Sequence, residues 1–403
     1  MDLPRIWFPL LTLGGFLVVV LFALFRRGRT FAMFAGVLGG IYSLLAWAMA
    51  PAPGPLLWLY TSLHCAVYVN FISLSRPRMR RLPFRLLLSW PSAVMVGGTL
   101  LSLPWAILVA VGFHPWLPWL PYALATIGML QSLWTRPEAV VLVLHGPTGP
   151  EVPSLQPHPR GTHRQARPLT VVQISDPHLG PFMSVARLRA IAARAVESQP
   201  DLVLLTGDFL TMESQQDPQH LLEALRPLRA LPGRVFACLG NHDHEARAVV
   251  ERGLRENGVQ LLVDDSTELE TSAGPVQIVG MNFVWRDRQA HLATVSAAHP
   301  RQAQALRIVL LHDPGAFKHL PDGSGDLVLA GHTHGGQVGL VSLGLSFTIL
   351  RLFGIHIPDH GFWARGTNRM YVHRGTGHYG FPLRLGVPAE ESLLRIHLAT
   401  DER

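Results

Sequence analysis

Val235-Phe-Ala-Cys-Leu-Gly-Asn-His-Asp243 is the stretch that decides how this chain folds. Its first five residues form an apolar run of strand length, too short for a helix, and a glycine follows that lets the backbone turn sharply. Asn241, His242 and Asp243 then present side chains that bind metals or move protons. The same pattern recurs on both sides. Leu169–Ser175 leads into Asp176-Pro-His178, and Asp201–Thr206 into Gly207-Asp208. Leu306–Leu311 leads into His312-Asp313, and the short run Leu327-Val-Leu329 leads into Gly331-His-Thr-His334. The carboxyl ends of strands in an open α/β sheet converge on one crevice. Oxygen and imidazole ligands gathered there suit hard or borderline divalent cations.

The segments between these runs fix the fold class. Ser184–Gln199 is helical, with Ser184 as N-cap and Val185, Leu188, Ile191, Ala192 and Ala195 on one face. Asp217-Pro218 places an N-cap before a proline at the first helical position and opens a helix to about Ala230. His244–Asn257 is a helix closed by Gly258. Strands dominate afterwards, at Val276–Met281, Leu306–Leu311, Asp326–Ala330, Met370–His373 and Leu393–Leu398. Early βα alternation followed by mostly strands gives an α/β protein with a sheet-on-sheet core flanked by helices, a two-sheet αββα sandwich. Neither G-x-x-x-x-G-K-[ST] nor G-x-G-x-x-G occurs, so a nucleotide-cradling loop is not expected.

Composition divides the chain. It has 403 residues, 48% of them hydrophobic and 15% charged. Mean hydropathy is +0.25, which places part of it in a membrane. Apolar stretches at 7–25, 31–50, 56–74, 86–112 and 119–135 approach the roughly 20 residues that a span needs. Residues 1–145 therefore read as an all-α transmembrane anchor of four to five helices. Val140–Leu144 reads as a strand on the membrane side of the domain that follows. Residues 146–168, rich in Pro, Gly and His, read as an exposed linker, and 169–403 as the catalytic domain. Residues 1–149 carry a net charge of +8 and the remainder −1. The high isoelectric point thus comes from the membrane half, which argues against nucleic acid as a partner.

Arg26, Arg27 and Arg29 separate the first two stretches, and Arg76, Arg78, Arg80, Arg81 and Arg85 the third and fourth. The alternate loops, 51–55 and 114–118, hold no Lys or Arg. With five spans, the positive-inside rule puts the N-terminus outside and the catalytic half in the cytoplasm of a cell with a multi-pass inner-membrane protein. His64 is the one ionisable side chain within the spans and reads as a hydrogen-bonded packing residue. Cys65 and Cys238 lack the spacing of a zinc-thiolate site and read as small buried hydrophobes.

The series D-x-H, G-D, G-N-H-D, a lone His and G-H-x-H, over about 169–398, resembles the calcineurin-like metallophosphoesterases. Gly331-His-Thr-His-Gly-Gly-Gln337, Gly375-Thr-Gly377 and the 382–388 segment are similar to its membrane-anchored bacterial subgroup. The resemblance implies two divalent metals (Mn, Fe or Zn). One would be held by Asp176, His178, Asp208 and His334, the other by Asp208, Asn241, His312 and His332, with Asp208 bridging. It implies a metal-bridging hydroxide that attacks phosphorus in line with the leaving group. His242 would donate a hydrogen bond or proton to the leaving oxygen, and Asp243 would orient its ring. Asp313 reads either as a support for His312 or as a surface turn before Pro314.

The family hydrolyses phosphomonoesters, phosphodiesters and pyrophosphates, and its motifs do not choose among them. The anchor argues for a substrate at the membrane face, a phosphorylated or nucleotide-linked lipid such as UDP-2,3-diacylglucosamine. Leu340–Ile357, apolar and rich in Leu, Ile and Phe, reads either as a core hairpin or as a lip that dips into lipid. Arg351, Arg365, Arg369 and Arg384 are candidate phosphate contacts. A nuclease of the same fold, and a membrane-bound sensor with a metal site, are the alternatives.

Overall fold

The computed structural model describes residues 3–145, 150–159, 167–380 and 382–398. The chain divides into two units, Met1–Gln131 with Gly380–Leu385, and Ser132–Tyr379 with Gly386–Arg403.

The first unit is helical. It contains α1 (Leu3–Arg27), α2 (Arg29–Ala48) and α3 (Pro55–Leu74). Next come α4 (Leu82–Phe84), continuing through a π-turn at Arg85–Ser89 into α5 (Trp90–Leu101), then α6 (Leu103–Ala110) and α7 (Leu120–Ser132). Trp7–Arg27, Arg29–Ala48, Pro55–Leu74 and Leu82–Leu101 are long and apolar enough to cross a membrane. The fifth apolar stretch is not a helix of that length. At 13 residues α7 rises about 20 Å, short of the roughly 30 Å hydrocarbon core. It runs against α5, with Tyr122 over Gly98 and Ala125 against Gly97, a close approach that only small residues permit. His64 is fully buried, its Nδ1 2.8 Å from the Tyr42 hydroxyl and its Nε2 3.1 Å from that of Thr12.

The second unit is a two-sheet α/β sandwich. In chain order it contains β1 (Thr135–Leu144), β2 (Val152–Pro157), β3 (Leu169–Ile174), α8 (Val185–Glu197), β4 (Leu202–Thr206), α9 (Pro218–Leu225), β5 (Val235–Cys238), α10 (Arg247–Arg255) and β6 (Gln260–Leu261). There follow β7 (Asp265–Thr271), β8 (Gly274–Met281), α11 (Arg288–Ala298), β9 (Leu306–Leu311), β10 (Leu327–Ala330), α12 (Ile349–Leu352), β11 (Gly361–Gly366), β12 (Asn368–Val372) and β13 (Ala389–Leu398). The order is β1-β13-β3-β4-β5-β6 in one sheet and β2-β11-β12-β10-β9-β8-β7 in the other.

Alternation along each strand builds three layers of core. Leu202 and Leu204 of β4 face Ile308 and Leu310 of β9 and Leu327 and Leu329 of β10 between the sheets. Val203 and Leu205 turn outward onto Leu188 and Ile191 of α8 and Leu221 of α9. On the opposite sheet Val309 and Val328 meet Leu292 and Val295 of α11. Strands buried on both faces read as continuous apolar runs, which is why they were visible in the sequence. The expected caps are formed: Ser184 accepts from the Arg187 amide at 3.2 Å and Asp217 from that of Gln219 at 2.9 Å.

Two boundaries differ from the sequence reading. β1 begins at Thr135, inside the stretch assigned to the anchor, and pairs in parallel with β13, Val140 opposite Leu394. β2 lies within the stretch assigned to a linker and pairs with β11. Both are edge strands of their sheets, where Pro137, Pro153 and Pro157 are tolerated because a missing N–H there removes no ladder bond. Pro137 hides the first half of β1, of which 140–144 reads as a strand, and Pro153 and Pro157 hide β2. Cys238 is buried and Cys65 half-buried, and both are free.

Candidate metal centre

The ends of β3, β4, β5, β9 and β10 deliver the expected side chains to one place. Asp176, His178 and His334 form one group whose ligand atoms lie within 4.8 Å of one another, and Asp208, His312 and His332 form a second. Asp208 joins them, its Oδ2 lying 3.3 Å from His312 Nε2 and 3.7 Å from His178 Nε2. Its other oxygen, Oδ1, accepts the His242 amide at 2.9 Å, so Oδ2 alone faces both groups. Asn241 Oδ1 lies 3.2 Å from His312 Nε2 and completes the second group.

The backbone is strained to make this possible. Asp176, His178, Asp208, His332 and His334 all have positive φ, between 44° and 67°. Each such non-glycine residue costs about 1–3 kcal/mol and persists only where surrounding structure holds it. Close packing supplies the hold. A Cβ on Gly331 would lie 2.0 Å from Ser175 Oγ and 2.1 Å from Asp176 Oδ2, and one on Gly240 would lie 2.2 Å from Asp208 Oδ1. Both positions must be glycine for the carboxylates to sit where they do.

The donor set fits two divalent cations. His178 Nε2 and His334 Nε2 face each other at 3.2 Å, and His332 Nδ1 faces His312 Nε2 at the same distance. At this distance each pair either shares a proton as an N–H···N hydrogen bond or turns two lone pairs toward a common cation. His312 donates Nδ1–H to the Thr206 carbonyl at 2.7 Å, which leaves Nε2 as the ligand atom, the usual tautomer control in metal sites. Burial lowers His178 to about 3, and burial with the neighbouring His312 charge lowers His332 to about 4, so both rings are neutral donors. Burial alone would lower His312 as well, but the Asp208 carboxylate outweighs it and raises the ring to about 10. A cation bound there takes the place of that proton.

His242 and Asp243 are both at the site, but in different relations from those expected. Asp243 does not touch the His242 ring. Its Oδ2 accepts the amides of Gly240 (2.7 Å) and Asp208 (2.8 Å), and its Oδ1 that of Phe209 (2.8 Å). It ties the two ligand-bearing turns together. Burial and the Asp208 carboxylate push its own carboxyl up to about 7, while those backbone donors favour the charged form. The residue at the ring is Glu245, whose Oε1 is 2.9 Å from His242 Nδ1. Burial would lower His242, but the Glu245 bond and the Asp208 charge raise it.

Tyr379 was missed altogether. Its ring stacks on His242 at 4.5 Å and 27° and lies 5.2 Å from His178. Gln337, three residues past His334, holds the tyrosine backbone from both sides, accepting its N–H at 3.0 Å and donating to its carbonyl at 3.2 Å. Asp313 proves to be a turn residue, capping Gly315 and pairing with Arg288 at 2.8 Å. Arg365 and Arg369 donate to backbone carbonyls of Leu320 and of Gly366, Asn368 and Pro150, a structural use.

A sequence model of the calcineurin-like phosphoesterase family matches residues 169–336, which contain every one of these ligands. The metallophosphoesterase YkuE of Bacillus subtilis (strain 168) is 30% identical over 219 residues, covering 53% of this chain and 74% of that protein. The phosphodiesterase YaeI of Escherichia coli (strain K12) is 28% identical, covering 57% of this chain and 83% of that one. The UDP-2,3-diacylglucosamine pyrophosphatase LpxG of Chlamydia trachomatis is 27% identical, covering 56% of this chain and 83% of that one.

Proposed function

Since the chain belongs to the calcineurin-like metallophosphoesterases, and is thus a phosphoester hydrolase that carries membrane-length apolar helices, we propose that it cleaves a phosphodiester or pyrophosphate bond of a lipid-linked substrate with two divalent metals in the centre described above. The observation that carries this is the convergence of seven side chains. Asp176, His178, Asp208 and His334 would hold one cation, and Asp208, Asn241, His312 and His332 the other. When bound, such a pair supplies charge to the phosphate oxygens and acidifies a water between them. Asp208, whose Oδ2 faces both groups, would be the carboxylate that offsets repulsion between the cations.

His242 is the proton donor in this reading. An oxygen–phosphorus bond forms from water as the bond to the leaving oxygen breaks, and His242 passes its proton to that oxygen. Glu245 keeps the ring charged and aimed, and Tyr379 walls its other face. A phosphorylated or nucleotide-linked lipid such as UDP-2,3-diacylglucosamine is supported by the name of the Chlamydia relative, a UDP-2,3-diacylglucosamine pyrophosphatase, and by the membrane-length helices of this chain. The near-neutral charge of the catalytic half, −1, weighs against a nuclease.

We place the catalytic unit in the cytoplasm, on the inner membrane. The helix α7 turns back along α5, so the chain returns toward the end marked by Arg76–Arg85. The testing experiment uses detergent-purified full chain with Mn²⁺ on bis-p-nitrophenyl phosphate and on a nucleotide-linked diacyl lipid. Turnover of both is expected, with Asp208→Asn abolishing it. Turnover that survives Asp208→Asn refutes the mechanism.

A further inference from the structure

The segment that follows the last metal ligand is a hairpin with its apolar side chains turned outward. Val338 bridges to Gly386 and Gly339 to Thr348, and the Leu340 amide donates to the Phe347 carbonyl at 2.9 Å. A short 3-10 turn at Val341–Leu343 forms its tip, and the helix α12 follows directly on its returning arm. Leu343 is 72% exposed, Leu352 67%, Phe353 66% and Leu345 53%. Single exposed leucines need no explanation, but four large apolar side chains exposed between residues 343 and 353 do. The hairpin is also joined to the chemistry. Gln337 at its foot holds Tyr379 over His242, and Thr333 and Thr348 both donate to Asp359, one to its carbonyl and one to its carboxylate.

We propose that this hairpin is a lipid-contacting lip, inserted among the acyl chains of the bilayer, along which an amphiphilic phosphate ester reaches the metal centre. The proposal rests on the reading of the chain as a membrane-anchored phosphoesterase, and it names how that site takes its substrate. The occupant follows from three features. Residues 338–357 carry Arg351 and no acidic residue, which suits an anionic lipid surface and not water alone. The same chain carries four membrane-length helices, so a bilayer is always within covalent reach. Leu340 (40% exposed), Phe347 (42%) and Ile355 (41%) extend the apolar surface along the same segment.

The test uses the full chain in nanodiscs of equal parts phosphatidylglycerol and phosphatidylethanolamine. A nitroxide is placed at Leu343→Cys or Phe353→Cys, with Cys65 and Cys238 replaced by Ala, and Arg255→Cys is the water-exposed control. Collisions with oxygen, which partitions into lipid, are compared with collisions with a water-soluble nickel chelate. The lip sites should favour oxygen several-fold over the control. Equality with the control overturns the proposal, and so does suppression of both collisions, the mark of a second protein copy on the lip. A kinetic arm pairs bis-p-nitrophenyl phosphate with the p-nitrophenyl ester of dioleoyl phosphatidic acid, which share a leaving group. Leu343→Ser, Leu352→Ser and Phe353→Ser combined should raise KM for the lipid about tenfold or more and leave the soluble diester unchanged. An equal fall for both substrates counts against the lip. If the unmodified protein hydrolyses neither, the enzymatic reading fails while the nitroxide result still stands or falls by itself.

Discussion

His242 and Asp243 are neighbours in sequence with unlike tasks, and two substitutions separate them. His242→Ala removes the proposed proton donor and none of the seven candidate ligands, so kcat should fall by about 10²–10⁴ with metal content unchanged, as read by turnover beside elemental analysis. Glu245→Gln should act in the same direction more weakly, since it leaves the ring in place. Asp243→Asn should behave differently. It sets an amide among three backbone N–H donors, at a cost of about 1–3 kcal/mol for each donor left unpaired, and loosens the turns that carry Asp208 and Asn241. Bound metal should fall together with activity. Full metal content with lost turnover in Asp243→Asn would return Asp243 to the role of orienting His242. The candidate ligands were legible because all five clusters follow an apolar strand, three of them with a glycine between. The partner of His242 was not, because the 3-10 turn at Asp243–Ala246 brings Glu245 to the ring and turns Asp243 inward, a rotation that adjacency in sequence conceals.

Strand ends are where this fold stores strain, and the glycines there are its weak points. Gly331→Ala forces a methyl into Asp176 and Ser175, both fully buried, so it should empty the first metal group before it unfolds the sheet. Binding curves for Mn²⁺ would show loss of one of two sites, and retention of both would contradict the packing argument. The strand β13 carries the buried Glu390, on which Arg374 lies 3.0 Å away. Burial would raise this carboxyl, but His373, Arg374, Ser392 and Tyr371 together lower it from 4.5 to about 2. A depressed carboxylate stabilises above its unfolded value and loses that contribution as pH falls from about 4.5 toward 2. Glu390→Gln should therefore destabilise the protein near pH 7 by on the order of 3 kcal/mol, and the gap to the unmodified protein should narrow as pH drops below 4. A gap independent of pH in denaturation curves would assign the loss to packing. Long double-buried strands were readable from the sequence within a residue or two. β1, β2 and β7 were not read at their full extent, because edge position lets in proline, charge and exposed polar residues that erase the apolar pattern, and β11, one strand in, because two glycines and an arginine leave only three apolar residues in it.

At the scale of the whole molecule the open issue is sidedness, and two features of the helical unit bear on it with opposite sign. Counting helices by length gives four spans, an even number, which would return the catalytic unit to the side of the N-terminus. Counting by direction gives a different answer. After α5 and α6 the chain passes a loop without Lys or Arg and re-enters along α5, with Tyr122 beside Gly98 and Ala125 beside Gly97. By Ser132, therefore, α7 has carried the chain most of the way back toward Arg76–Arg85. Basic loops are held on the cytoplasmic side because translocating arginine is costly, and eight arginines lie in the two loops that flank α2 and α3. The second count should prevail, since it follows the chain and the charges instead of helix length. Protease added to inverted inner-membrane vesicles should then release the catalytic unit, while protease added to right-side-out spheroplasts should leave it intact. A reporter that fluoresces only in the cytoplasm, fused after Arg403, should light up. Digestion in spheroplasts with a dark reporter would reverse the orientation. It would also move the metal supply and the substrate to the outer face, and require a lipid phosphate presented in that leaflet.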